Sequence, residues 1–88
     1  MKVLILYRPY SEHGRPMEQF VREFKSRNSN EHVEMLDVDS RDGSATASLY
    51  DILQYPAIVV TQQDGVVQKI WTGDQFPLID EVASYARQ

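Results

Sequence analysis

Ser11, Glu12 and His13 stand in consecutive positions near the start of this 88-residue chain, ahead of Gly14. Serine is a nucleophile only when a positioned base takes its proton, and histidine, with a pKa of about 6.5, is the usual base. Ser11 and His13 lie two residues apart, which does not by itself make a nucleophile–base pair. Ser11 placed at a helix N-terminus would hydrogen-bond a ligand thiol or anion. The simpler reading is a capping or turn serine that serves the backbone. Pro16 bears on the choice, because proline is easiest at the first helical position. The helix begins at Ser11 or at Pro16, and in the second case residues 9 to 15 form a loop.

Other candidate chemistry is sparse. Glu12 with His13, or Glu31 with His32, supplies too few ligands for a transition metal, so no metal site is expected. Asp37, Asp39 and Asp42 lack the spacing of a calcium loop and read as a solvated strand-to-helix connection. Four glycines form no phosphate-binding loop. The chain has no cysteine at all. Thiol–disulfide exchange requires a thiolate, so that activity is excluded, and no cofactor is implied.

Composition places these residues in a single domain, 1–88. The hydrophobic fraction of 42% and charged fraction of 25% are those of a globular chain. A net charge of −4 without a Lys/Arg cluster argues against nucleic acid or anionic membrane as partner. No apolar run approaches a membrane span or the pattern of a signal peptide. A cysteine-free chain of this kind is expected in the cytoplasm.

Val3-Leu4-Ile5-Leu6-Tyr7 is a continuous apolar run suited to a strand covered on both faces. Met17, Phe20, Val21 and Phe24 recur at helical spacing, and that helix ends near Arg27-Asn28. Val33 and Met35 mark a second strand, closed by the polar residues 39 to 43. A shorter helix follows, with Ser44 as N-cap and Ala45, Leu49, Ile52 and Leu53 inward. Tyr55-Pro56 halts it, and Ala57 to Val60 form the third strand. Asp64-Gly65 predicts a two-residue type I′ hairpin into a fourth strand, Val66 to Trp71. A last helix carries Leu78, Ile79, Val82, Ala83 and Ala86 on one side. The order βαβαββα gives a three-layer α/β/α sandwich around a four-stranded mixed sheet.

This order, together with three local segments, resembles the thioredoxin-like superfamily at its minimal glutaredoxin size. Residues 6 to 15 follow a strand where the family carries Cys-x-x-Cys, and the resemblance aligns Ser11 with the first cysteine and Gly14 with the second. Gln54-Tyr55-Pro56-Ala57 looks like the family's cis-proline segment. Thr72-Gly73-Asp74 sits where the family has a glycine before the last helix. Glutathione-binding members carry Gly-Gly and an acidic residue there, of which only Gly73-Asp74 remains. The resemblance brings the end of the first strand and the proline segment to one edge. The expected binding residues are therefore Arg8, Tyr10, Ser11, Glu12, His13, Gly14, Tyr55, Pro56, Gly73 and Asp74. Tyrosine and arginine are frequent binding anchors, although Tyr7 and Trp71 also read as partly core.

The reading that follows is a redox-inactive module binding a protein or peptide through this edge, as a monomer or weak homodimer. Its alternatives are a small glutathione- or thiol-binding enzyme using Ser11, and a homo-oligomeric assembly protein. Because sulfhydryls are lacking, the chain should show no turnover in an insulin reduction assay. Its thermal midpoint should be the same with and without dithiothreitol; turnover, or a shifted midpoint, would contradict the reading.

Overall fold

A computed structural model describes residues 2–73 and 77–86. The elements are β1 (Lys2–Tyr7), α1 (Gly14–Arg27), β2 (His32–Asp37), α2 (Arg41–Leu49), β3 (Ala57–Thr61), β4 (Val67–Thr72) and α3 (Ile79–Ala86). The four strands form one mixed sheet in the order β2-β1-β3-β4. β1 runs parallel to β2, with Lys2 opposite His32 and Tyr7 opposite Asp37. It runs antiparallel to β3, with Leu6 opposite Ala57.

β1 is central, and its apolar run feeds both faces. Val3, Ile5 and Tyr7 pack with Met17, Phe20, Val21 and Phe24 of α1 and with Val82 and Ala83 of α3. Leu4 and Leu6 pack on the other face with Val38, Ala47, Ile52 and Val59. A strand's side chains alternate between faces, so one strand buried on both sides must be apolar at every position. α1 follows its expected stripe, and Trp71 and Tyr7 belong wholly to the core.

Several local expectations are corrected. α1 begins at neither Ser11 nor Pro16: its first residue is Gly14 and His13 occupies the N-cap position. Pro16 then falls at the third helical position, where a missing N–H loses no helical hydrogen bond. α2 starts earlier than expected, with Ser40 as N-cap; its Oγ accepts from the Gly43 N–H at 3.0 Å. The inner face shifts accordingly to Gly43 and Ala47, while Ala45 is exposed and Leu49 and Leu53 are 73% and 89% exposed. Gly43 is needed there, since a Cβ would collide with the Asp37 carbonyl oxygen. α2 ends before Tyr55, in a turn where Ile52 N–H donates to Ala47 O at 2.9 Å and Asp51 takes φ of 55°. That bond pattern, with a left-handed residue just past the helix, is the Schellman motif.

The hairpin differs from type I′. Gly65 N–H donates to Gln62 O at 3.0 Å, and Gly65 alone of the turn residues has positive φ, 88°. Gln62 N–H donates to Val66 O at 2.8 Å, which leaves Gln63, Asp64 and Gly65 as a three-residue connection. On the last helix Val82 and Ala83 are buried as expected, but Leu78 precedes the helix and is exposed. The Ala86 side chain lies outside the described residues.

Phe24, at 1% exposure, anchors α1 to the sheet. Phe24→Ala should therefore lower the unfolding free energy by about 3–5 kcal/mol in a urea titration. An unmoved midpoint would contradict this packing.

Candidate functional site

Beyond Tyr7 the chain leaves β1 and must turn into α1, and it does so through a loop tied to one residue. Ser11 N–H donates to Arg8 O at 3.1 Å, which closes a β-turn with Pro9 and Tyr10 at its tip. Ser11 Oγ donates to the same carbonyl oxygen at 2.6 Å. Arg8 N–H donates to His13 Nε2 at 3.0 Å. Gly14 N–H closes the second turn onto Ser11 O at 3.1 Å. Both backbone polar groups of Arg8 are thus satisfied from within the loop. Gly14 seats the helix start against the chain, because a Cβ would collide with the Pro9 carbonyl oxygen.

These bonds decide the chemistry of Ser11 and His13. Ser11 lies before the helix rather than at its N-terminus, and its hydroxyl proton is committed to a carbonyl. His13 Nε2 is an acceptor here, so the ring is neutral with its proton on Nδ1. Burial, and next the Arg8 charge, lower the His13 pKa below its usual value. No Ser11–His13 hydrogen bond is present among the described residues. The arrangement builds a turn and offers no activated nucleophile.

The Arg8 side chain reaches across the edge. Its guanidinium lies over the Tyr55 ring, 5.2 Å from the centroid, within cation–π range. Its Nε stands 3.5 Å from Asp39 Oδ2, in a half-exposed ion pair. Tyr55 is half-buried and its hydroxyl donates to Ile52 O at 3.2 Å. The Tyr55–Pro56 peptide bond is cis. Gly73 N–H donates to Pro56 O at 3.0 Å, which brings the end of β4 beside this segment. Gly73 has φ of 60°, and a Cβ there would meet Gln54 Oε1 at 2.8 Å.

Of the expected site residues, Arg8, Ser11, His13, Gly14, Tyr55, Pro56 and Gly73 are thereby linked into one edge. Tyr10 is fully exposed at the turn tip, and Glu12 is exposed beside it. Asp74 lies outside the described residues. Asp39 and Gln54 also border this edge, through Arg8 and Gly73; the sequence reading assigned Asp39 to a solvated loop and placed Gln54 in the proline segment without counting it among the binding residues. Tyr7 is buried below the loop, its hydroxyl 3.4 Å from Glu18 Oε2; burial, and next the Glu18 charge, raise its pKa. No group of three or more metal-ligating side chains occurs among the described residues, and none of the described helices is long and apolar enough to cross a membrane.

No family model and no curated protein matches this sequence. Solved structures do match it. Thioredoxin 1 from Thermosipho africanus superposes with a TM-score of 0.75 at 15% identity, over 99% of this chain and 91% of that one. Oxidised thioredoxin from Plasmodium falciparum gives 0.78 at 16% identity, over 97% and 80%. Mitochondrial thioredoxin 3 from Saccharomyces cerevisiae gives 0.73 at 14%, over 98% and 76%. At such identities the likeness is one of fold. The chain has a thioredoxin-like fold and lacks redox cysteines.

The His13 contact carries a pH dependence. Folding favours the neutral ring, so the unfolded chain takes up the proton first as pH falls. The contribution is complete above about 6.5 and is lost as pH drops from there through the lower folded-state pKa. His13→Gln keeps an acceptor without a titrating ring. The stability difference between wild type and this variant should therefore change between about pH 7.5 and 5 in parallel urea titrations. A constant difference across that range would remove the role assigned to His13.

Proposed function

We propose that this chain is a redox-inactive thioredoxin-like domain that binds a protein or peptide through the edge formed by the Arg8–Gly14 loop and the Tyr55-Pro56 segment, in the cytoplasm. The observation that carries the reading is Tyr10: a fully exposed aromatic side chain at the tip of a turn that hydrogen bonds hold rigid. A large side chain displayed on a fixed turn loses little further freedom on binding, and tyrosine and arginine are, with tryptophan, the residues enriched as energetic anchors. Arg8 supports the same reading. Tyr55 and Asp39 orient its guanidinium, and its terminal nitrogens have no hydrogen bond or ion pair among the described residues. They suit a carboxylate on the partner, bound as a planar pair.

A thiol-binding enzyme using Ser11 is disfavoured by the commitment of the Ser11 hydroxyl and His13 Nε2 to the backbone. The test is an affinity capture with immobilised wild type and a Tyr10→Ala, Tyr55→Ala double variant. Loss of one anchor of this kind costs about 2 kcal/mol or more, or roughly thirtyfold in affinity. Ligands retained by wild type should therefore be lost from the variant. Equal retention by both would overturn the assignment of the edge.

A further inference from the structure

α1 and α3 lie on the same face of the sheet, and a groove of about 400 Å³ opens between them. Phe20, Leu78 and Ile79 give it an apolar lining, and Glu23, Arg27 and Asp80 stand at its rim. Leu78 is 71% exposed. This surface uses none of the residues of the edge described above.

We propose that the groove is closed by a second copy of this chain, in a twofold dimer with α1 packed antiparallel on its counterpart. The argument is charge complementarity. Phe20, Glu23 and Arg27 follow one another at i, i+3 and i+7, so they share a helix face. A twofold axis crossing that face midway between Glu23 and Arg27 sets each Glu23 against the second copy's Arg27, and the pairing occurs twice. Among the described residues neither Glu23 nor Arg27 takes part in an ion pair; the pairs there are Lys2–Glu34 and Arg8–Asp39. A partner of one strong charge sign would call for a rim of the opposite sign. A rim carrying both signs at this spacing matches itself. The same contact would cover the exposed Leu78 and the apolar floor.

Sedimentation of the full chain over a range of concentrations tests this. Wild type should rise from monomer to dimer mass. Arg27→Glu places like charges opposite each other at both symmetric positions and should weaken association about tenfold or more. Glu23→Arg combined with Arg27→Glu exchanges the charges and should restore it to within about threefold of wild type. Leu78→Ser should weaken association, while circular dichroism reports an unchanged fold because the side chain is exposed. A monomer mass up to about 1 mM would overturn the proposal and leave the groove to a different occupant. So would a double variant no better than Arg27→Glu, since the twofold register would then be wrong.

Discussion

The burial of β1 on both faces is the constraint from which the rest of the molecule follows. A strand flanked by neighbours on both edges and covered above and below has no wet side, so every position of Val3 to Tyr7 is apolar and buried. Alternation then assigns Val3, Ile5 and Tyr7 to the layer of α1 and α3, and Leu4 and Leu6 to the layer of α2. Pairing with β2 and β3 also fixes where β1 ends. Val38 N–H donates to Tyr7 O at 3.0 Å, so the β2–α2 connection leaves the sheet beside the residue where the loop begins. That common exit is the reason Asp39 is near enough to meet Arg8.

The loop that leaves β1 has turned residue types associated with catalysis to structural purposes. Ser11 and His13 both face inward onto Arg8's backbone. A hydroxyl bonded at 2.6 Å to a carbonyl and an imidazole accepting from an amide are satisfied groups. What remains exposed is area and charge, Tyr10 and the half-exposed Arg8 side chain, on which the proposed binding role rests. The Arg8–Tyr55 contact further joins the loop to the proline segment, so that two stretches distant in sequence form one surface. The groove on the α1–α3 face shares none of its lining residues with this edge.

How far the sequence foretold these features varies with the strength of the local pattern. α1 was legible because four large apolar residues recur over two turns and nothing competes with helix there. α2 was displaced because Ser40 and Ser44 are both competent caps, and Gly43, which reads as a loop residue, is inside the helix to make room for Asp37's carbonyl. Choosing the earlier cap turns Ala47 inward and leaves Leu49 outward, a result that local hydrophobicity opposes, and Leu53 falls beyond the helix. The Asp64-Gly65 turn was foreseen as a hairpin, yet its class depended on the β3–β4 register, which shifts at Val60/Thr61.

By itself the sequence determined the element order, the doubly buried first strand, the inner face of α1 and the absence of thiol chemistry. These are properties of composition and of short-range periodicity, and neighbouring residues suffice to express them. Tertiary structure decided which polar side chains are committed and which are free. Ser11 and His13 are adjacent to ordinary turn residues in the chain, and only the closed loop gives each its acceptor or donor. Asp39 and Tyr55 meet at Arg8 from segments sixteen residues apart in number, brought together because both lie at the end of the sheet where β1 terminates. Contacts between distant segments depend on register and helix placement, and local patterning carries neither.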